Sequence, residues 1–160
     1  MKTIITALFL VLVTRSFGAT DDKPISICLE RTGCFGLCPS YVLTILGDGR
    51  VTFEGRQYVK KKGLHKKKIA PATLMPIFKK IEEIGFWQLE DSYRSKKNPD
   101  GSTSTIFDLP TKYVTVKSSG NSKRIEDYFG TPPGLRELEK LIDEVAGVSE
   151  WVGDPDKNRP

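Results

Sequence analysis

Residues 41–55 read YVLTILGDGRVTFEG, and this stretch decides the fold. β-Branched and aromatic residues predominate on both sides of its central Gly-Asp-Gly, a composition typical of strands. The Asp48-Gly49 pair is suited to the positive φ angles that a tight type I′ turn requires. The sequence therefore predicts a β-hairpin with strands over 41–46 and 51–58.

Further strands are predicted on either side of this hairpin. Residues 25–31 alternate apolar with polar side chains, which is the periodicity of a strand with one buried face. Three later strands are predicted over 104–109, 113–117 and 123–129.

Two amphipathic helices complete the pattern. The first is expected to begin at Thr73 and end at Gly85, and the second to begin at 131–133 and end at Gly147. Strands followed by a helix, twice over, predict an α+β domain. We expect an antiparallel sheet of about six strands in two strand-strand-helix units, with both helices packed on one face.

The N-terminus has the pattern of a secretory signal. Lys2 precedes about ten apolar residues, half the length that a membrane-spanning helix needs. Small residues at 16 and 18 predict cleavage after Gly18, with cleavage after Ala19 or an uncleaved anchor as the alternatives. We therefore predict a signal peptide over 1–18, one α+β domain over 24–152, a flexible tail over 153–160, and a periplasmic or extracellular location.

Export would place the three cysteines in an oxidising compartment. Gly33 and Gly36 let the backbone fold so that Cys34 and Cys38 approach bonding distance, which predicts a Cys34–Cys38 disulfide. Two alternatives are a redox-active pair and a zinc site that adds Cys28 and His65.

Little in the sequence points to catalysis. It has no glycine-rich phosphate loop, metal-binding histidine pair or dinucleotide motif, so neither a cofactor nor a metal is expected. The one histidine lies among lysines, a poor setting for a general base. Carboxylates that could pair across a sheet, as in glycoside hydrolysis, are Glu30, Glu54, Glu126 and Asp127.

Residues 60–68 hold six lysines and are predicted to form an exposed basic loop. This loop is a weak candidate for contact with an anionic membrane surface. No aromatic residues interleave with the lysines, and removal of residues 1–18 would leave a net charge of only +3, so nucleic acid is not expected. The candidate binding residues are Arg31, Phe35, Tyr41, Glu54, Lys60, Lys61, Lys62, Lys66, Lys67 and Lys68.

Residues 29–41 read LERTGCFGLCPSY, and residues 47–55 read GDGRVTFEG. Together with Asp108-Leu109-Pro110, the segment 127–130 and the helix over 135–142, they resemble the uncharacterised bacterial domain-of-unknown-function family 6438. The likeness covers about residues 24–147, and its most specific element is Cys-Phe-Gly-x-Cys-Pro-x-Tyr. The resemblance implies an exported domain in which the paired cysteines are a family feature, and it implies no activity.

The favoured interpretation is a non-catalytic extracytoplasmic binding or accessory module, with an envelope protein or a glycan as its partner. Its contact surface is expected at the loop over 31–39 and on the uncovered face of the sheet. The alternative is an envelope enzyme, either a thiol-disulfide exchanger at Cys34 and Cys38 or a carboxylate-based hydrolase.

Overall fold

A computed structural model describes residues 25–154 and residue 157. The predicted signal peptide over 1–18 and most of the predicted tail lie outside the described residues. No helix among the described residues is both long and apolar enough to cross a membrane.

The α+β class is confirmed, but the sheet is larger than expected. The main sheet has seven strands: β1 Ser26–Arg31, β2 Ser40–Leu46, β3 Arg50–Gln57, β4 Gly63–Lys68, β5 Ser92–Arg94, β8 Lys112–Ser118 and β9 Asn121–Phe129. Their order across the sheet is β4-β3-β2-β1-β8-β9-β5. Every neighbouring pair is antiparallel except β5 with β9, which is parallel. The prediction of about six strands in two strand-strand-helix units is therefore wrong.

The additional strand in the first half is β4. It pairs with β3 from Gly55↔Gly63 to Arg50↔Lys68, so the predicted basic loop is a strand over 63–68. Lysines are poor strand formers in general, but they are common on edge strands. Pairing with β3 gives hydrogen-bond partners to main-chain groups that would otherwise lack them. This gain outweighs the low strand propensity of the lysines.

The hairpin over 41–58 is confirmed, but its turn differs from the expected type. Of its three loop residues only Gly49 has a positive φ, at 84°, and the Gly49 amide donates to Leu46 O at 2.9 Å. This is a three-residue connection ending in a left-handed glycine. Positive φ at two central residues instead occurs between β8 and β9, at Ser119 and Gly120.

The predicted strand over 104–109 is wrong. Only β7, Thr103–Ser104, is extended there, and it pairs with β6, Lys96–Lys97, in a separate two-stranded sheet. Asp108 has a φ of 66° and Pro110 lacks an amide donor, so residues 105–111 form a loop.

The described residues contain three α-helices: α1 Met75–Glu83 lies between β4 and β5, and α2 Pro133–Ala146 and α3 Ser149–Val152 follow β9. The first begins later than predicted because Thr73 lies in a 3-10 turn over Pro71–Leu74, and its hydroxyl donates to Ala70 O. The second ends at Gly147 with a left-handed φ of 58°, as predicted.

One face of the sheet is buried against α1 and α2, as expected. Strand side chains alternate between this face and the open face, and the buried set forms one core with the helices. The middle row of this core, read across the sheet, is Phe53, Leu43, Leu29, Val114 and Ile125.

Candidate functional site

A polar row crosses the helix-facing side of the sheet two residues beyond the middle apolar row. Arg31 at the end of β1 stands opposite Tyr41 on β2 and Lys112 on β8, and Lys112 stands opposite Asp127 on β9. Because side chains alternate along a strand, this row shares the face of Leu29. The covered surface therefore changes from apolar to polar where these strands meet their loops.

Helix α2 lays two carboxyl groups over this row. Glu139 and Asp143 are one turn apart and so lie on the same side of the helix. Arg31 donates to Asp143 Oδ2 from Nε at 3.1 Å and from Nη2 at 2.6 Å, and the Tyr41 hydroxyl donates to Asp143 Oδ1 at 2.8 Å. Burial raises the pKa of Asp143, although these donors favour its charged form.

Lys112 forms the second half of the network. Its Nζ donates to Asp127 Oδ2 at 2.7 Å and to Glu139 Oε2 at 2.5 Å, and both carboxyl side chains are 1% exposed. Burial raises the pKa of Glu139 to about 7. Burial also opposes the charge of Asp127, but donors from Lys112 and Thr131 outweigh it and hold the pKa of Asp127 below its usual value. The two carboxyl groups therefore titrate in different pH ranges.

A cleft of about 330 Å³ opens beside this network. Its lining joins charged groups to apolar ones: Arg31, Thr32, Cys38, Pro39, Tyr41, Pro110, Lys112, Asp143 and Val152. Two loops form part of its wall, and they are held together where the Thr32 amide donates to Thr111 O and the Thr111 amide donates to Thr32 Oγ1, each at 2.9 Å. The cleft thus has a fixed shape and a few converging polar groups, the usual character of a ligand site.

The loop over 32–39 carries the predicted disulfide, which joins Cys34 to Cys38. Phe35 lies between these cysteines and is 94% exposed. Phe35 and Leu109 line a depression of about 350 Å³ next to the cleft, and Phe107 on the neighbouring loop is 83% exposed. Exposed apolar side chains therefore lie in and near this depression, and the loop that carries Phe35 is closed by a covalent bond.

The structure separates the predicted binding residues into different places. Arg31 and Tyr41 line the cleft, and Phe35 lines the neighbouring depression. Glu54 lies on the open face of the sheet, where its carboxylate is 3.6 Å from the Arg56 guanidinium. The six predicted lysines lie elsewhere: Lys60, Lys61 and Lys62 before β4, and Lys66, Lys67 and Lys68 within it.

Among the strand carboxylates, Glu30 and Glu126 are engaged in ion pairs on the open side of the sheet. Glu30 accepts from Arg56 at 3.0 Å and from Arg124 at 3.1 Å, and Glu126 accepts from Arg94 at 2.5 Å. The closely placed carboxyl pair is instead Asp127 with Glu139, and both are buried.

The structure also places the three cysteines and the histidine of the zinc alternative. Cys34 and Cys38 bond to each other, so they do not serve as zinc ligands. Cys28 is half-buried, and burial raises the pKa of its thiol. His65 Nε2 lies 3.0 Å from Lys62 O. The described residues contain no group of three or more side chains arranged to hold a metal ion.

Sequence reasoning missed three members of the site: Lys112, Glu139 and Asp143. One signal was present, because Glu139 lies within the apolar stripe of α2, between Leu138 and Ile142. A charged residue in such a stripe is seldom buried without a partner. Lys112 carries no comparable signal, since its partners come from distant parts of the chain.

The chain matches a known protein family. A family model described as "Domain of unknown function (DUF6438)" matches residues 25–146, which contain the polar row, both wall loops of the cleft and the disulfide. No curated protein matches the chain.

Proposed function

Since the chain belongs to the DUF6438 family of domains of unknown function, we propose from the geometry of its cleft that it is an exported, non-catalytic binding domain. Its contact surface is the cleft together with the disulfide-closed loop over 32–39. The ligand would be part of an envelope protein or a glycan.

The observation that carries this proposal is the exposure of Phe35. Transfer of a phenylalanine side chain out of water is favourable by about 1.5–3 kcal/mol, so a nearly fully exposed ring is an unused source of binding energy. The disulfide restricts the loop before any partner arrives, which lowers the entropy lost on association. Aromatic anchors of this kind commonly dominate the energy of an interface.

The polar groups of the cleft support binding rather than proton transfer. Arg31 and Tyr41 both bind Asp143, and Lys112 joins two buried carboxyl groups. Groups held in this way are suited to orienting a ligand, because their positions are fixed by one another. The buried pair Asp127 and Glu139 does not line the cleft.

The disulfide also supports export, because such bonds persist in oxidising compartments. Intact-mass analysis of protein recovered from a bacterial host tests this part of the proposal. We expect loss of residues 1–18 and two fewer hydrogens than the fully reduced chain. An unprocessed N-terminus with three alkylatable thiols would contradict export.

The contact surface is tested by replacing Phe35. Exported wild-type protein and the Phe35→Ser variant would be used as bait with envelope extract, with Met75→Ser as the matched control because Met75 is also exposed, at 61%. We expect a specific partner to be recovered by wild type and the control and lost at least about tenfold with Phe35→Ser, since buried aromatic anchors contribute about 2 kcal/mol or more. Equal recovery by all three proteins, or no specific partner, would contradict the proposal.

A thiol-disulfide exchanger remains the second candidate because the disulfide is at the surface. Cys38 lines the cleft and Cys34 lines the neighbouring depression, so a substrate thiol could reach this bond. An insulin-reduction assay discriminates the two functions. Activity that disappears with Cys34→Ser would favour the exchanger over the binding domain.

A further inference from the structure

Strand β4 has an outer edge with no neighbouring strand in the described part of the chain. It is the last strand on one side of the seven-stranded sheet. The pair that follows Arg50↔Lys68 in this register is Gly49 with Ile69, and the Ile69 amide donates to Gly49 O. Gly49 and Ile69 therefore form a hydrogen-bonded pair. Hydrogen-bonded and non-hydrogen-bonded pairs alternate in an antiparallel ladder, so the main-chain groups of 64, 66 and 68 point away from β3.

The side chains at the same three positions lie on the open face of the sheet. Leu64, Lys66 and Lys68 stand opposite Glu54, Thr52 and Arg50, and all three are exposed. Lys67 points the other way, where it pairs with Glu150 at 2.5 Å and lies 4.4 Å above the Trp151 ring. The outward main-chain groups and the exposed lysines of this edge therefore belong to the same residues.

The lysines around this edge form no close ion pairs in the described part of the chain, although Lys68 helps to lower the pKa of Asp48 and Lys61 that of Glu150. Within the described residues none of the following forms an ion pair: Lys60, Lys61, Lys62, Lys66 and Lys68. Lysines on an edge strand discourage edge-to-edge aggregation. The additional positive charge is complementary to an acidic partner.

We propose that the outer edge of β4 binds an acidic extended segment of another protein as an eighth, antiparallel strand. Main-chain hydrogen bonds to 64, 66 and 68 would supply affinity, and alternate side chains would supply specificity. In an antiparallel pairing, the residues opposite Lys68, Lys66 and Leu64 follow one another at every second position of the partner. The recognised pattern is therefore acidic-x-acidic-x-apolar, read from the N-terminus.

A second copy of this chain does not fit the same edge. Pairing β4 with β4 would bring lysines of both strands together, and like charges across a strand pair are destabilising. The same lysines that favour an acidic strand thus disfavour self-association.

The test uses the exported protein and a fluorescent peptide of sequence Thr-Asp-Thr-Glu-Thr-Val-Thr. Fluorescence anisotropy measures its affinity, and amide hydrogen exchange measures protection at 64, 66 and 68. We expect saturable binding and slower exchange of these amides. A peptide in which Asn and Gln replace Asp and Glu should bind at least about tenfold more weakly, because it has lost its negative charge. A peptide N-methylated at Glu should also bind at least about tenfold more weakly, because it has lost a main-chain hydrogen-bond donor.

Charge reversal tests the protein side. The double variant Lys66→Glu/Lys68→Glu should lose at least about tenfold in affinity for the peptide, since two attractive pairs become repulsive. The matched control is Lys79→Glu/Lys140→Glu, which makes the same charge change at exposed helical positions. Thermal unfolding of each variant checks that it is folded.

Several outcomes would overturn the proposal. Equal binding of the N-methylated peptide would indicate charge attraction without strand pairing. An equal loss in the control variant would indicate a response to net charge alone. Absence of peptide binding, together with binding to phosphatidylglycerol vesicles that depends on Lys66 and Lys68, would make this edge a lipid contact.

Discussion

Two rows of side chains on the same face of the same strands have opposite chemistry. Leu29 and its neighbours Leu43 and Val114 are fully buried and apolar. Two residues further along β1, Arg31 begins a row of hydroxyl, cationic and carboxyl groups. The alternation of a strand thus determines which face a residue occupies, but not what the face must contain at each position.

The difference between the two rows comes from what lies above them. The middle row is covered by apolar side chains of α1 and α2, whereas the end row meets Glu139 and Asp143 and borders the cleft. Buried polar groups normally need hydrogen-bond partners, and α2 supplies acceptors for Arg31, Tyr41 and Lys112. Glu139 Oε1 is the buried oxygen of this network that has no partner of its own among the described residues. The first row therefore stabilises the domain, and the second presents a fixed polar surface to a ligand.

The largest effect is expected in the apolar row. Leu29→Ala should lower the free energy of unfolding by about 4 kcal/mol, from lost transfer energy and the cavity that remains. Urea denaturation measures this loss. The exposed control Leu64→Ala should change stability by less than about 0.5 kcal/mol. A loss below about 1 kcal/mol for Leu29→Ala would show that the site collapses without a cavity.

A smaller effect is expected in the polar row, and it should depend on pH. Lys112→Met leaves Asp127 and Glu139 without their shared cation, which should cost about 3 kcal/mol near pH 8. The cost should be lower near pH 5, because Glu139 then holds a proton. Urea denaturation at both pH values measures this, with Lys117→Met on the same strand as the exposed control. The same cost at both pH values would contradict the assigned network.

The smallest effect concerns Glu139 itself. Its folded-state pKa of about 7 lies above the ordinary value of 4.5, so the folded protein binds this proton more tightly than the unfolded chain. The resulting stabilisation is complete below about pH 4.5 and is lost as the pH rises through 7. Between about pH 5.5 and 8 we expect wild-type stability to fall by about 2 kcal/mol.

The comparison uses Glu139→Gln, whose side chain does not titrate. Its stability should be nearly constant over this pH range, whereas the exposed control Glu137→Gln should keep the wild-type slope. Chemical denaturation at several pH values measures both. An unchanged slope in Glu139→Gln would assign the pH dependence to another group.

The hairpin between β2 and β3 shows how far local sequence determined the fold. Gly-Asp-Gly over 47–49 correctly predicted a reversal of the chain, because few other residues accept positive φ there. The turn type was wrong because it depends on the neighbouring chain. A Cβ atom at Gly49 would lie 2.1 Å from Ile69 O, so this glycine is also required by the close approach of the segment that follows β4.

The lysine-rich segment shows the opposite case. Its composition indicated a loop, since lysines pack poorly on a pleated surface. Its position beside β3 made residues 63–68 a strand. Propensity was therefore overruled by the need to pair a main chain that lay at the end of the sheet.

The polar network was also predictable from the sequence only in part. The sequence predicted Arg31 and Tyr41, which lie close to the cysteine motif, as binding residues. It indicated Asp127 only as one strand carboxylate among several. It did not join them to Lys112, Glu139 and Asp143, because Arg31 and Asp143 are 112 positions apart in the chain. Only the register of β1 with β8 and the placement of α2 bring these groups within hydrogen-bond distance.

The sequence by itself determined the α+β class, the hairpin, the two main helices and the pairing of Cys34 with Cys38, because each follows from periodicity or from contacts between near neighbours. The tertiary structure alone decided the strand order, the edge position of β4 and the assembly of the polar row beside the cleft. These features depend on which distant segments pair, and that choice minimises the free energy of the whole chain rather than of any one segment.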